Sequence, residues 1–295
     1  MCTNLDKSKL HLALNGEFVP RKFAMEFINT VETSEKKIVA GTGQDFTLTY
    51  KGINDEGLFK YSLKVTRRFF INARYNIVTK LNKAQKIALQ VARINDALEI
   101  VISKDFKLVR IANFSEIQKK WASLKPTLLK TYPDLQTVVS DFDWQLQDEN
   151  IQNMFLRDNF YAFFFSGIYY HDFEETPVLK TDQIITDALP GIDIPINLEQ
   201  TISKNDYLFT NATVESKAIL NTDHSKYNPT RLAQFLNKLA IEDNDAAALQ
   251  FNYDGKYLTK PRVGLVIGGD LEYSFEFPKV YKKTTSISFN LEKDE

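Results

Sequence analysis

The sequence predicts an α+β fold: a large, curved, mainly antiparallel β-sheet with meanders at both ends of the chain and a few helices from the middle packed on one face. Three observations predict it. Apolar residues alternate with polar ones through the first and last thirds, the spacing that sends successive side chains to opposite faces of a sheet. The middle third switches to helical spacing. The aromatics are mainly Phe (22) and Tyr (13), with two Trp, and Phe and Tyr suit a pleated, half-buried surface.

In the first third, Leu10, Leu12 and Leu14 alternate with polar or small residues, as do Phe23, Met25 and Phe27. Phe46, Leu48 and Tyr50 set Thr47, Thr49 and Lys51 on the opposite face, and Phe59, Tyr61, Leu63 and Val65 oppose Lys60, Ser62, Lys64 and Thr66. Ile87, Leu89 and Val91 continue the alternation. Leu98, Ile100 and Ile102, then Ser103-Lys104-Asp105 and Leu108 to Ile111, read as a hairpin.

Helical signals begin at Asn113, a capping residue with Glu116 three positions on, followed by Phe114, Ile117, Trp121, Leu124 and Leu128 on one face. Pro126 predicts a kink or two short helices, because proline inside a helix removes a hydrogen bond and clashes with the preceding turn. A second helix is expected from Glu149 to about Phe165. The run from Phe155 to Phe173 is too rich in aromatics for one narrow stripe, so this element must be covered on more than one side.

Residues 174 to 192, with Pro177, Pro190 and Gly191, read as the most loop-like stretch. Strands are expected to resume at Ile192, with Pro195 favouring an edge or strand start, and again over Tyr207 to Ile219. Asn228-Pro229 opens a third helix carrying Leu232, Phe235, Leu236 and Leu239 on one face. Asp254-Gly255 and Gly268-Gly269 read as hairpin turns, and Gly41-Thr42-Gly43 as a turn as well. Leu271, Tyr273, Phe275 and Phe277, then Ile287, Phe289 and Leu291, mark the last strands. The organisation that follows is a flexible segment over residues 1–9 and one α+β domain over 10–295. Its alternative is two β-rich subdomains, 10–173 and 192–295.

The 37 basic and 38 acidic residues give a formal net charge of -1, so no strong field gathers phosphate backbones, and nucleic acid is not an expected partner. Nothing reads as a transmembrane segment: the most apolar stretch, Phe155 to Tyr170, is broken by Arg157, Asp158 and Asn159. Cys2 is the sole cysteine, which excludes an internal disulfide. With no export signal ahead of Cys2 the chain reads as cytoplasmic. The alternative is a membrane-anchored periplasmic lipoprotein with its lipid on Cys2, tethered by the polar residues 3–9.

Catalytic and metal motifs are absent from the sequence. His11, His171 and His224 lie far apart, and neither a G-x-S-x-G nor an H-E-x-x-H pattern occurs. Asp141-Phe142-Asp143 and Glu242-Asp243-Asn244-Asp245 cluster oxygen atoms but do not continue as a calcium loop. No metal and no cofactor are expected. His171 is the most interesting titratable group, because carboxylates flank it at Asp172, Glu174 and Glu175.

The leading functional expectation is a non-enzymatic bacterial binding protein, holding an apolar or amphiphilic small molecule between curved sheet and helices. Its candidate ligand-binding residues are Trp144, Tyr161, Phe164, Tyr169, Tyr170 and His171, with polar tips on an apolar lining. Two alternatives stand beside it: a protein-interaction or structural subunit that pairs through exposed strand edges, and a hydrolase with a site around His171.

Overall fold

The first and last described strands meet at the centre of the sheet. The computed structural model describes residues 20–173, 175–205, 212–239, 249–260 and 265–292. Its strands are β1 (Arg21–Thr33), β2 (Lys37–Ile53), β3 (Phe59–Ile71), β4 (Ala97–Ile102), β5 (Leu108–Ile111), β6 (Leu179–Leu189), β7 (Ile192–Asn205), β8 (Ala212–Leu220), β9 (Gln250–Lys260), β10 (Leu265–Phe277) and β11 (Tyr281–Leu291). They form one curved, 11-stranded antiparallel sheet in the order β5-β4-β3-β2-β1-β11-β10-β9-β8-β7-β6. Helix α1 (Lys83–Ala92) joins β3 to β4, and α6 (Pro229–Lys238) joins β8 to β9. Helices α2 (Phe114–Thr131), α3 (Gln136–Gln145), α4 (Asp148–Leu156) and α5 (Asn159–Phe164) connect β5 to β6. The chain therefore runs from the centre to one edge, crosses by helices, and returns from the other edge to the centre.

The predicted alternation sets which face is buried. Phe23 and Met25 of β1, Phe46 and Leu48 of β2, Leu63 and Val65 of β3, Tyr273 and Phe275 of β10, and Ile287 and Phe289 of β11 all turn to one buried side. Burying each large apolar side chain contributes about 1.5–3 kcal/mol. Phe164 of α5 sits over the central seam, its ring centroid 5.1 Å from Phe23, 5.4 Å from Phe46 and 4.9 Å from Phe289, all edge-on. That one ring joins strands from both ends of the sequence to the helical layer.

Edge strands carry unpaired backbone groups that invite wrong pairing, and here the helical crossover supplies partners at both edges. At β5, the Gln152 amide of α4 accepts from Ile111 N at 2.9 Å and donates to Ile111 O at 2.8 Å. At β6, the Asn159 amide of α5 accepts from Thr186 N at 3.1 Å and donates to Thr186 O at 2.9 Å. Each amide does for one residue what a neighbouring strand would do.

The C-terminal half of the sheet curls far over. Lys283, on the buried side of β11, hydrogen bonds to the carbonyl of Asp187 at the far end of β6, although five ladder positions separate those strands. Asp187 itself takes a positive φ of 51°, and its carboxylate accepts from Gly191 N, closing the turn that carries it inward.

Several expectations need correcting. Residues 87–91 are helical, in α1. The predicted second helix is two, α4 and α5, separated at Arg157 and Asp158, and α3 precedes them unpredicted. Helix α2 runs through Pro126 to Thr131 as one helix, and the segment read as loop contains β6. None of the described glycine pairs read as turns is one. Gly41 and Gly43 lie inside β2, Gly255 inside β9, and Gly268 and Gly269 inside β10. These strands have partners on both sides, so long-range register overrides the local turn preference.

The glycines are needed for clearance instead. A Cβ on Gly43 would lie 2.3 Å from the Phe69 ring, and one on Gly269 would lie 2.5 Å from the Phe289 ring and 3.1 Å from Phe163. The alternation at Leu10 to Leu14, His11, the start of the strand expected at Tyr207, and the acidic run Glu242 to Asp245 lie outside the described residues.

A candidate ligand cleft between sheet and helices

Helix α1 begins at a reciprocal cap: Asn82 Oδ1 accepts from Gln85 N at 2.9 Å, and Gln85 Oε1 accepts from Asn82 N at 3.0 Å. It is amphipathic, yet none of its residues is buried. Ala88, Leu89 and Ala92 face an open cleft of about 470 Å³, a volume within the range of small-molecule sites. Opposite them stand Met154 and Phe155 of α4 and Phe160 and Tyr161 of α5. The floor is sheet: Met25 and Phe27 of β1, Gly43 and Gln44 of β2, and Phe69 and Phe70 of β3. On the other face of the sheet Gly43 lets the Phe69 ring lie down on the strand, where Arg67 stacks over it at 4.9 Å from its centroid.

The break between α4 and α5 supplies the polar element. Asp158 is the N-cap of α5; its Oδ1 accepts from Phe160 N at 2.9 Å and from Tyr161 N at 3.0 Å. Asp158 borders the cleft and is open to solvent. Desolvation by the surrounding protein pushes its carboxyl above the ordinary aspartate value, against the pull of the two backbone N–H groups. The neighbouring Tyr161 hydroxyl is also raised, first by burial and then by the Asp158 charge.

Arg68 lies across the cleft with its guanidinium engaged. It donates to Asp96 Oδ1 at 3.0 Å, to Gln44 Oε1 at 2.9 Å and, more loosely, to the Asn95 carbonyl at 3.4 Å. Asn95 Oδ1, on the same wall, is buried with no hydrogen-bond partner.

No family model matches the chain, and no curated protein matches it. Among solved structures, a lipovitellin chain described for its lipid-protein interactions aligns at 11% identity with a TM-score of 0.48. The alignment covers 94% of this chain but only 26% of that one. A DUF1329 family protein from Desulfovibrio piger aligns at 8% identity over 93% of this chain and 87% of its own, with a TM-score of 0.17. Likeness at this level carries no functional weight, and the site is read from its own residues.

Of the side chains singled out from sequence, Tyr161 lines the cleft. Phe164 lies directly behind it in the sealed core, its ring 5.6 Å from that of Phe160. Tyr169 is buried on the other side of Phe106, at 5.6 Å, and its hydroxyl is shifted strongly upward by burial. Tyr170 is 43% exposed and adopts a positive φ of 59°. His171 stacks edge-on against Phe173 at 4.6 Å, with Nε2 2.8 Å from the Thr176 carbonyl, a contact that closes a local turn. Trp144 is 61% exposed on α3 and does not join the others. Cys2 lies outside the described residues. The six candidates thus do not converge on one place.

A second depression, wider and more polar, lies between α2 and the turn from α3 to α4 and is lined by Trp121, Asp143, Asp148 and Glu149 among others. Two of its carboxylates already have partners. Asp143 accepts from Trp121 Nε1 at 2.7 Å and pairs with Lys125, which holds its carboxyl below the usual range, and Asp148 accepts from Gln118 at 2.7 Å. Among the described residues no group of three or more His, Cys, Asp or Glu is placed to hold a metal ion. No described helix is long and apolar enough to cross a membrane.

Sequence reasoning missed the residues that do converge: Gln44, Arg68, Ala88, Ala92, Asn95 and Asp158. One signal for them was legible. Arg157-Asp158-Asn159 interrupts the most apolar stretch of the chain, and a charged break in such a run marks a place where the chain must turn toward water.

Proposed function

We propose that this protein binds an apolar or amphiphilic small molecule in the cleft between α1, the α4–α5 corner and strands β1 to β3. The observation that carries the reading is α1 itself. An amphipathic helix gains its stability from packing its apolar face, and here Val91 is partly buried against the core while Ala88, Leu89 and Ala92 turn toward unfilled space and no residue of the helix is fully buried. A ligand chain of ordinary width supplies the missing contact surface. The walls are mainly hydrocarbon and aromatic, with a few polar groups gathered at Arg68, Asn95 and Asp158, the composition of a site that recognises one polar end and tolerates a varied apolar body.

Displacement of a fluorescent apolar reporter tests this directly. Ala92→Phe puts a ring into the cleft from a helix that packs loosely, so it should weaken reporter binding by about tenfold or more while leaving the melting temperature within a few degrees. Reporter binding that is unchanged in a folded Ala92→Phe protein sinks the proposal. Native mass spectrometry of the purified protein should show a mass increment in the wild type that Ala92→Phe lowers.

A further inference from the structure

We infer that the molecule held in this cleft carries a hydrogen-bond donor at its polar end, an ammonium or a hydroxyl, and that Asp158 receives it. The inference rests on the binding proposal above and goes on to name the head-group chemistry. The charged side chains lining the cleft are Arg68 and Asp158. Arg68 has its own counter-charge, the Asp96 carboxylate at 3.0 Å, and its remaining hydrogen bonds run to Gln44 and to backbone. Asp158 has no such partner. Both backbone N–H groups that it caps reach Oδ1, so among the described residues Oδ2 is left with none. With the Arg68–Asp96 pair neutral, the cleft carries one uncompensated negative charge.

An uncompensated carboxylate on a mainly apolar wall favours a donor from the ligand, and a cation above all. An alkyl carboxylate offers only acceptors and a like charge, so it is disfavoured by Asp158.

Three probes of equal chain length separate the possibilities: dodecylamine, dodecanol and dodecanoate, each titrated against the reporter-loaded full chain at pH 7.5. The wild type should bind the amine at least about tenfold more tightly than the carboxylate, a difference of about 1.4 kcal/mol, with the alcohol between them. Asp158→Asn keeps a capping oxygen for α5 and removes the charge, and it should bring amine and carboxylate within about threefold of each other. Equal binding of all three by the wild type, or a preference that survives Asp158→Asn, overturns the head-group assignment and leaves the cleft proposal standing. Displacement by none of them removes the cleft proposal and this inference with it. Should Asp158→Asn not fold, the wild-type ranking decides alone.

Discussion

The two halves of the sheet bury their inner faces in different ways. Strands β1 to β5 present Phe23, Phe46, Leu48, Phe59, Leu63 and Leu98, and separate helices cover them. Strands β6 to β11 present a more mixed surface, with Gln200, Ser216, Tyr253, Tyr257, Tyr273 and Thr285 among the buried residues. That half curls until Lys283 reaches Asp187, so its strands, with α5 and α6, close over one another. Some of its polar tips find partners on the adjacent strand: Gln200 donates to Ser216 at 3.3 Å, and Thr285 donates to Asn29 of β1 at 2.7 Å, while Gln200 Oε1 and the Tyr281 hydroxyl are buried without one. A strongly curled sheet buries polar groups where the neighbouring strand supplies a partner. Roofing by separate helices requires an apolar floor, and wherever helix and floor do not meet it leaves an apolar cleft. The cleft between α1, α4 and α5 lies in the helix-covered half.

The largest test of this comparison removes the ring that both halves share. Phe164→Ala should cost about 3–5 kcal/mol, the usual range for a buried phenylalanine. Both tryptophans sit in the helical layer, so their fluorescence reports that side while circular dichroism follows the whole sheet. Coincident urea transitions by both probes in the wild type mean that the halves unfold together; separate transitions break the picture of a common seam.

Next in size are the two strand glycines. Gly269 is enclosed by Phe289 and Phe163 in the sealed core, so Gly269→Ala should cost about 1–3 kcal/mol through overpacking. Gly43 meets the Phe69 ring and the Met25 carbonyl on the solvent-facing side of the sheet, where its cross-strand partners are Phe69 and the exposed Glu26. Gly43→Ala should therefore cost under about 1 kcal/mol in denaturant melts, because that ring can swing out toward solvent, and should leave reporter binding unchanged. Equal stability losses would mean that Phe69 has no room to move.

The edge amides sharpen the comparison further. Gln152→Ala and Asn159→Ala should each lower stability by about 1–2 kcal/mol by leaving a paired N–H and C=O without partners. Gln152→Ala should also expose β5 to intermolecular pairing, visible as concentration-dependent light scattering. An unchanged melt in both variants would mean that solvent replaces these amides without loss.

The smallest effect concerns Lys283. Burial lowers its pKa, with Asp187 opposing. A base whose folded-state pKa is lowered holds fewer protons folded than unfolded, so stability should climb as pH rises from that lowered value toward the ordinary lysine value. Lys283→Met should abolish that slope and change stability near neutral pH by less than about 1 kcal/mol. A slope that persists in the variant assigns it to another group.

By itself the sequence determined the sheet and its buried face. Period-two alternation at Phe23 to Phe27, Phe59 to Val65 and Leu271 to Phe277 is a local property, and it survives in the structure because each strand has one wet and one dry side. The caps at Asn228 and the hairpin from Leu98 to Ile111 were legible for the same local reason. Tertiary structure alone decided what long-range pairing decides. Asp254-Gly255 and Gly268-Gly269 run straight as strand because neighbours on both sides hold them. Ile87 to Val91 became helix although their alternation fits a strand, since three residues spaced by two cannot distinguish the two periods. The cleft was invisible for a related reason: its walls come from β1, β2, β3, α1, α4 and α5, and a void belongs to the distances between elements, which no single stretch of residues encodes.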